Sequence, residues 1–592
     1  MPEALPEWKL NDLYAGITDP AIATDMAACQ EAAMALQAQY EGKVATLDGG
    51  ALAEMIAAYE KLAEKMGRIL CHADLLFASD MSEALVAQHS QTMREKASEA
   101  ESALLFVELE LSQMPEDAYQ AALKDARFYH YQPWLRRVRA AASHMLEPRL
   151  EKMLVDRGPA GRSAWVRLFD ETSSALKFDF QDGKVSEAEI LNHLTSSDPA
   201  HRKEAGASLS SVMQDNQRLF GLIINVIAKD KEVDDRWRGF ERPVASRNLA
   251  NDVDDVVVDA LAEAVTSRMG DISHRYYKLK AGWNGLETLS WWDRNAPLSG
   301  DDDKRYSWQE AEEIVLSAFD GFDPEMGQIA RRFFAQGWID AGIREGKASG
   351  AFSHPTVPSA HPYILMNFDG RARDVMTLAH EMGHGIHQVL AAEQGLLMSD
   401  TPLTLAETAS VFAEMLTFQK LLERTTDKNA KRFLLAGKVE DMLNTVIRQI
   451  AFHNFETALH QARRNGELSP DQISDIWMTT QKEALGEGIA LDASYRPVWA
   501  YIPHFIHTPF YVYAYAFGDC LVNALWQVYQ SRAEQDGEND FNTHYQALLS
   551  AGGTQRYDVA LEQFGLDAQD PAFWHRGLDM ISGMIDELES LS

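Results

Sequence analysis

Three residues of one predicted helix have the types and spacing of a metal-binding catalytic site. The segment TLAHEMGHGIHQVL (377–390) places His380 and His384 four residues apart, with Glu381 between them. Residues at i and i+4 are neighbours on a helix face, so both imidazoles can reach one ion. Glu381 lies one position round the helix, where its carboxylate can contact a water molecule on that ion. The spacing predicts a His-Glu-x-x-His zinc site, and the alternative is a pair of ordinary histidines on a helix.

Two glycines interrupt the same helix. Gly383 and Gly385 each cost about 1 kcal/mol relative to alanine in a helix interior. Two of them beside the histidines indicate that another part of the chain approaches this backbone closely. His387 shares the face, but its Cα lies about 10.5 Å along the axis from that of His380. Because one ion cannot easily be bound across that distance, we predict a supporting or structural role for His387.

A catalytic zinc ion also needs a third protein ligand and one open position. The segment AETASVFAEM (406–415) offers Glu407 and Glu414, which are seven residues apart and so lie on one helix face. The separation from His384 lets a first helix end and a second one return against it. Thr404 and Glu407 also match the Thr-x-x-Glu capping box. The spacing therefore leaves two interpretations of Glu407, a metal ligand or a helix cap.

Such a site would hydrolyse an amide bond. Bound zinc lowers the pKa of its water toward about 7 and polarises the scissile carbonyl group. Glu381 would take the proton as the water attacks and return it to the leaving amine. The oxyanion that forms then needs a hydrogen-bond donor opposite the metal.

Donors of that kind occur in the segment IPHFIHTPFYVYAYAFGD (502–519). Thr508 followed by proline predicts the start of a helix. In that helix Tyr511 and Tyr515 would share a face, and His504 would lie in the loop before it. The alternative is a tyrosine-rich core element without a catalytic role.

One stretch departs from the helical pattern and lies directly before the metal motif. GKASGAFSHPTVPSAHPYILMNFDG (346–370) contains glycines and prolines, followed by YILMNF, which is typical of a strand. A strand edge beside an active site can hold an extended peptide by backbone hydrogen bonds. The alternative is a small structural hairpin.

The remaining chain is typical of a large helical protein. Residues 21–70 and 81–111 are rich in strong helix formers, with apolar residues every three or four positions. We divide the 592 residues into a helical N-terminal region, 1–200, and a catalytic region, 201–592, whose lobes interleave.

Composition limits the partners and the compartment. The net charge of −34 disfavours nucleic acid and anionic membranes. Three scattered cysteines exclude a disulfide framework and favour a reducing compartment. The N-terminus shows no secretory signal, and the apolar stretch 501–526 contains histidines, prolines and an aspartate. We predict a soluble, cytoplasmic protein, monomer or homodimer, that binds neither nucleic acid nor membrane.

These segments together resemble oligoendopeptidase F, in the thimet oligopeptidase family of zinc metallopeptidases. Residues 346–388 followed by AETASVFAEM carry most of the resemblance. WKLNDLY (8–14) is similar to the N-terminal signature of that group, and SAGGTQ (550–555) with the following FGLD is similar to its C-terminal one. PHFIHTPFYVYAYAFG resembles its His/Tyr segment.

The resemblance implies a mainly α fold, a multi-helix ellipsoid with a deep substrate channel and a small β-sheet beside the zinc site. It implies one Zn²⁺ ion held by His380, His384 and Glu407, with Glu381 as the base and Glu414 orienting a ligand. The channel would admit oligopeptides and exclude folded proteins, and residues 346–352 would pair with the substrate. Cobalt or manganese could also suit these ligands.

The resemblance also implies that His504 contacts the oxyanion, with Tyr511 and Tyr515 as partners. His507 stands where relatives often have tyrosine. The residues assigned to substrate binding are Gly350, Ala351, Phe352, His361, His507 and Tyr513. The function predicted is a zinc endopeptidase for oligopeptides; the alternatives are a dipeptidyl carboxypeptidase-like exopeptidase and an inactive peptide-binding protein.

Overall fold

The computed structural model describes residues 5–298, 304–533 and 540–591. As far as residue 298 the α-helices are α1 (Pro20–Tyr40), α2 (Gly49–Ser79), α3 (Ala84–Leu104), α4 (Phe106–Ser112), α5 (Glu116–Ala122), α6 (Ala126–Tyr129), α7 (Gln132–Ala140), α8 (Pro148–Arg157), α9 (Arg162–Ala175), α10 (Glu187–His193), α11 (Pro199–Arg238), α12 (Ala245–Ala250), α13 (Asp255–Ser267) and α14 (Ser273–Trp283). From residue 304 onward they are α15 (Trp308–Phe322), α16 (Pro324–Gln336), α17 (Ala372–Ala391), α18 (Leu396–Ser399), α19 (Leu403–Arg424), α20 (Lys428–Met442), α21 (Arg448–Arg464), α22 (Pro470–Leu485), α23 (His504–His507), α24 (Tyr513–Ala533), α25 (Asp540–Ser550), α26 (Tyr557–Glu562) and α27 (Pro571–Leu591). The strands are β1 (Phe178–Phe180), β2 (Gly183–Val185), β3 (Leu289–Ser290), β4 (Ile339–Asp340), β5 (Phe352–His354), β6 (Tyr363–Leu365) and β7 (Ile489–Ala490).

The fold is mainly α, as the sequence predicts. The two helix-rich stretches at the N-terminus fold as α1 to α4. Local signals begin these helices: the Asp19 side chain accepts a hydrogen bond from the Ala21 amide at the start of α1, and Asp48 accepts one from Ala51 at the start of α2. Among the described residues, no helix is both long enough and apolar enough to cross a membrane.

The chain forms two compact units, and each is assembled from three separate segments. The first unit contains residues 1–142, 304–424 and 529–565. The second unit contains residues 143–303, 425–528 and 566–592. The division that we predict near residue 200 lies at the first turn of α11, inside the second unit.

The first unit contains the predicted metal helix α17, which packs against α19. Its small sheet has the order β4-β6-β5, with β4 parallel and β5 antiparallel to β6. The strand predicted from YILMNF is confirmed as β6, whose three residues are buried. Along α17 the apolar residues spaced three or four apart are buried at Val375, Leu378, Met382 and Ile386, whereas the last of them, Val389, is half-buried.

The second unit is organised around the long helix α11, which packs against α21 and α9. Helix α21 packs against α22, and α27 packs against α13 and α20. A π-helical turn, Leu443–Ile447, joins α20 to α21. Two small sheets complete this unit, the antiparallel hairpin β1–β2 and the parallel pair β3–β7.

Candidate metal centre

Two glycines bring the predicted metal helix close to its neighbours. A Cβ atom on Gly383 would lie 2.7 Å from the Cα of Ser410 and 2.8 Å from the carbonyl carbon of Ala409, both on α19. A Cβ atom on Gly385 would lie 2.6 Å from the ring of Phe333. Both positions are therefore too crowded for any other residue, which confirms the close approach that the sequence predicts. At Gly383 this approach brings the backbone of α19 against α17.

The close packing of α17 and α19 brings the three predicted metal ligands together. The Oε2 atom of Glu407 lies 3.5 Å from Nε2 of His380 and 3.5 Å from Nε2 of His384. One nitrogen or oxygen atom from each of the three residues lies within 4.8 Å of the others. In the part of the chain that the structure describes, this is the one group of three such residues close enough to hold a metal ion.

The donor set fits one zinc ion. Zn–N and Zn–O bonds are near 2.0–2.2 Å and tetrahedral, so ligand atoms on the same ion lie about 3.4 Å apart. The two observed separations of 3.5 Å agree with that value. Two imidazoles and a carboxylate are also the ligand types of catalytic zinc sites. All three side chains are partly exposed, which leaves a side of the cluster open to solvent.

Electrostatics favour the ionised form of Glu407. Burial opposes ionisation of its carboxyl group, but the hydrogen bond and charge of His384, together with the charge of His380, lower its pKa to about 2. Ser410 donates a hydrogen bond to Oε2 of Glu407 at 2.7 Å. The carboxylate is therefore ready to bind a cation. The sequence offered no signal for Ser410 beyond its position three residues after Glu407.

The helix-cap interpretation of Glu407 is wrong. Helix α19 begins at Leu403, so Thr404 lies inside the helix rather than at its N-cap. Thr404 is also buried. Because the capping box requires a Thr side chain before the first turn, the Thr404–Glu407 pair cannot form it.

Glu414 lies behind the cluster, where a residue that orients a ligand would lie. Its Oε2 atom is 3.4 Å from Nδ1 of His380, the ring nitrogen that faces away from Glu407. A carboxylate at Nδ1 fixes the imidazole tautomer and leaves Nε2 as the free lone pair.

Glu381 is buried beside the cluster and contacts the sheet. Burial raises the pKa of its carboxyl group, whereas the charges of His380 and His384 lower it. The backbone amide of Ser353 on β5 donates a hydrogen bond to this carboxyl group. The small sheet thus lies beside the metal centre, as we predict.

Gln388 ties the same strand to α17. The hydroxyl of Ser353 donates to Oε1 of Gln388 at 2.9 Å, and Nε2 of Gln388 donates to the Ser353 carbonyl at 3.2 Å. We did not predict a role for either residue. The signal available was that Gln388 follows Glu381 by two helical turns on the same face.

His387 is hydrogen-bonded to a residue outside the group of three ligands. It is buried, its Nε2 atom lies 3.1 Å from the hydroxyl of Thr401, and burial lowers the pKa of its ring to about 4. A neutral, hydrogen-bonded imidazole of this kind fits the supporting role that we predict.

The segment before β5 is anchored by buried polar groups. Lys347 donates hydrogen bonds to the carboxylate of Asp340 at 2.7 Å, and to the carbonyls of Asp340, Gly342 and Met366. The amide of Asn367 donates to the carbonyls of Ala348 and Gly350, each at 3.0 Å.

The predicted substrate strand is partly accessible. Gly350 is exposed with a φ of +82°, and Ala351 and Phe352 are half-buried. Strand β5 is an edge strand, and its outer side pairs with no strand among the described residues. An extended peptide could use the unpaired backbone groups of such an edge.

His361 is engaged within the first unit. Its ring stacks on Trp338 with centroids 3.9 Å apart, and its Nε2 atom lies 3.0 Å from the carboxylate of Asp12. These contacts engage His361 within the first unit, and its contact with substrate stays a prediction.

In the second unit the structure groups His504, Tyr511 and Tyr515. The Nε2 atom of His504 lies 3.4 Å from the hydroxyl of Tyr515, and the rings of Tyr511 and Tyr515 are 5.3 Å apart. All three side chains are partly exposed, whereas most residues between them are buried. The predicted helix start at Thr508 is wrong, because α24 begins at Tyr513 and a turn precedes it.

The two other residues assigned to substrate in this segment differ in accessibility. His507 is exposed, and its Nε2 atom lies 2.6 Å from the carboxylate of Asp170. Tyr513 is fully buried, and its hydroxyl accepts a hydrogen bond from Asn251 at 2.9 Å. A core side chain of this kind cannot contact a peptide, so the role predicted for Tyr513 is corrected to a structural one.

Residues 192–580 match peptidase family M3, and residues 110–178 match the family described as oligopeptidase F. The chain is similar to oligopeptidase PepF of Bacillus subtilis, with 24% identity over 99% of this chain and 87% of the relative. It is also similar to an oligoendopeptidase F homolog of Borreliella burgdorferi, with 26% identity over 80% of each chain.

Solved structures share the fold. A structure from Chlamydophila abortus has a TM-score of 0.87 at 22% identity and covers 99% of this chain and 98% of its own. Oligoendopeptidase-F from Enterococcus faecium has a TM-score of 0.72 at 20% identity, covering 96% and 98%.

Proposed function

The chain belongs to peptidase family M3, and from that premise we propose that it is a zinc-dependent endopeptidase that hydrolyses short oligopeptides. One observation carries the proposal. His380, His384 and Glu407 converge with separations that suit one zinc ion, and Glu381 follows His380 directly in the same helix. Relatives named as oligopeptidases and oligoendopeptidases support the substrate class.

His380, His384 and Glu407 would hold the ion. When bound, zinc polarises the scissile carbonyl group and lowers the pKa of a water molecule. The chain itself sets the orientation of the first ligand, because Glu414 lies at Nδ1 of His380 and directs its Nε2 atom toward Glu407.

Glu381 acts as the general base. Its carboxyl group is buried, and burial raises its pKa toward the range in which a carboxylate can accept and then release a proton. A backbone hydrogen bond from Ser353 on β5 lowers the pKa of this group and so favours its ionised form. Glu381 therefore takes a proton from the attacking water and transfers it to the nitrogen of the leaving amine.

The substrate backbone binds along the outer edge of β5. Gly350, Ala351 and Phe352 offer the accessible part of that edge. Backbone pairing tolerates many side chains, so the enzyme would accept varied sequences. The family resemblance assigns His504, Tyr511 and Tyr515 to the oxyanion, and that assignment stays a prediction.

The test compares the wild type with Glu381→Gln on an internally quenched peptide, with zinc content measured for both. Glutamine keeps the size of the side chain but cannot accept the proton, so we expect unchanged zinc content and a loss of kcat of at least 10³-fold. Glu393→Gln is the matched control, since Glu393 is exposed and lies outside the site.

Full activity of Glu381→Gln would refute the assignment of the base. Loss of zinc together with activity would show that Glu381 is needed for metal binding instead. Mass analysis of the products separates the modes of cleavage: internal cuts support an endopeptidase, and stepwise release of C-terminal dipeptides supports the exopeptidase alternative.

A further inference from the structure

One residue of the edge strand β5 is bound by two side chains of the metal helix α17. Ser353 is the middle residue of β5, and its hydroxyl donates a hydrogen bond to Oε1 of Gln388 at 2.9 Å. Nε2 of Gln388 donates in turn to the Ser353 carbonyl at 3.2 Å. The backbone amide of Ser353 donates to the carboxyl group of Glu381. Both polar atoms of the Gln388 side chain are thus used on the residue that also contacts Glu381.

The register of the small sheet explains how Ser353 can make these bonds. Ser353 lies opposite Ile364 of β6 in an antiparallel pair. The amide of Ile364 donates to the Trp338 carbonyl at 2.9 Å, so the backbone of Ile364 is directed away from β5. Opposite residues of an antiparallel pair either exchange two hydrogen bonds or both direct their backbone groups outward. The amide and carbonyl of Ser353 therefore face away from β6, on the side where α17 packs against β5.

The contact with Ser353 matters because a glutamate side chain does not fix the direction of its own carboxylate. The last torsion of glutamate is broad and roughly two-fold, so the orientation of the carboxylate depends on the groups around it. Glu381 is 7% exposed and follows the ligand His380 directly in α17. A general base must lie within about 2.6–3.2 Å of the proton that it takes. A backbone donor on a strand that is itself held against α17 gives this buried carboxylate one direction.

We propose that Gln388 is a positioning residue for peptide hydrolysis, because its two hydrogen bonds hold Ser353 against α17 and the Ser353 amide thereby orients the carboxylate of Glu381. This inference rests on the proposed function, in which Glu381 is the general base. All three residues lie in the first unit, together with the three metal ligands. Because β5 is an edge strand of three residues, loss of two hydrogen bonds leaves its distance from α17 less restrained. A shift of about 1 Å in a group that acts in the transition state can lower the rate on the order of 100-fold.

The experiment measures zinc content, kcat and KM for Gln388→Met with an internally quenched peptide. Methionine has a similar length but no donor and only a weak acceptor, so kcat should fall by about 10- to 100-fold. KM should change by less than about threefold, because the lost interaction orients a group that acts in the transition state and does not bind the ground state. Zinc content should stay unchanged. A kcat within about threefold of the wild type, or a loss of zinc, would overturn the proposal.

Ser353→Ala is the conservative variant of the same contact. It removes the hydroxyl but keeps the carbonyl that accepts from Gln388 and the amide that donates to Glu381, so kcat should stay within about threefold of the wild type. A larger kcat loss in Ser353→Ala than in Gln388→Met would show that the hydroxyl acts independently of Gln388 and would overturn the proposal. If Gln388→Met does not fold, Gln388→Glu keeps an acceptor for the hydroxyl, loses the donor to the carbonyl and should lower kcat in the same direction.

Gln394→Met is the matched control. Gln394 is also half-buried in the first unit, and its Nε2 atom donates to the carbonyl of Ser550 at 2.9 Å. Its loss removes a hydrogen bond between a glutamine side chain and a backbone carbonyl outside the metal centre, so kcat should remain within about twofold. A kcat loss in Gln394→Met as large as that in Gln388→Met would mean general destabilisation and would overturn the proposal.

A double variant separates positioning of the base from an independent effect. If Gln388 acts through Glu381, Gln388→Met should reduce the residual kcat of Glu381→Gln by less than about threefold. A full reduction of about 10- to 100-fold in that background would overturn the inference. If the wild type cuts peptides and requires Glu381 while Gln388→Met retains its kcat, the proposed function stands and this inference fails. If the wild type does not cut peptides, the proposed function itself fails, and this inference fails with it.

Discussion

Gly383→Ala tests whether the close approach of α17 and α19 creates the metal centre. The added methyl group would lie 2.7 Å from Cα of Ser410 and 2.8 Å from the carbonyl carbon of Ala409, with the Ala409 oxygen closer still. These are backbone atoms, so no side chain can rotate out of the way. The helices must separate, or the methyl group cannot be accommodated.

The size of the effect follows from packing distances. Carbon atoms pack at about 3.5–4.0 Å, so α19 must move by roughly 1 Å. Overpacking costs about 1–3 kcal/mol, partly offset by the gain of about 1 kcal/mol when alanine replaces glycine in a helix. Glu407 lies three residues before Ser410 and moves with it. Because metal ligands must lie within about 0.2 Å of their ideal distances, we expect zinc affinity to fall by on the order of 100-fold or more.

The assay is competition for zinc with a chromophoric chelator, together with peptide cleavage and thermal unfolding. Gly437→Ala in α20 is the control, because no atom lies within 4 Å of its added methyl group. We expect that variant to gain about 1 kcal/mol of stability and to bind zinc normally. If Gly383→Ala binds zinc as tightly as the wild type and cuts at the same rate, the close helix approach does not determine the site.

Three further outcomes are expected. Lys347→Met removes one donor from the buried Asp340 carboxylate and from three carbonyls, while Arg344 still pairs with Asp340, so we expect a loss of about 1–3 kcal/mol in urea unfolding. KM should rise if the β5 segment binds substrate, and an unchanged KM would contradict that role. His72 is buried, and burial, with a smaller contribution from His89, lowers its pKa to about 4. Because the folded state keeps this ring neutral, its contribution is complete above the unfolded pKa of about 6.5 and is lost as pH falls toward 4, about 2 kcal/mol at pH 5. His72→Phe should therefore show a smaller fall in Tm between pH 7 and pH 5 than the wild type, and equal falls would contradict the assignment. Chelation of zinc should abolish cleavage and lower Tm. The free energy of unfolding should fall by about 2.7 kcal/mol if zinc had been present at 100 times its Kd. Chelation should lower the Tm of Glu407→Gln by less than it lowers the Tm of the wild type.

Local patterns in the sequence were sufficient to predict the helices in residues 21–70 and 81–111 and to pair two of the three residues of the candidate metal centre. The caps and helix formers of α1 and α2 act within a few residues, so the sequence indicated these helices directly. His380 and His384 share a face because helix geometry is fixed over one turn. The cost of glycine in a helix likewise indicated a close approach at Gly383 before its partner was known.

What depended on distant segments was left open or predicted wrongly. The sequence could not choose between ligand and cap for Glu407; the choice required the start of α19 and the distance to α17, which tertiary packing determines. Thr508 gave a false helix start: the chain turns there through Phe510, whose φ is +62° and whose amide donates a hydrogen bond to Glu456 in another helix. The hydrogen bonds between Ser353 and Gln388 could not be predicted from the sequence either, because they join residues far apart in the chain. Helical segments and the shared face of His380 and His384 could be predicted from the sequence, because these properties depend on residues close together in the chain. Which segments meet could be read only from the folded structure, because it depends on how helices distant in sequence pack together.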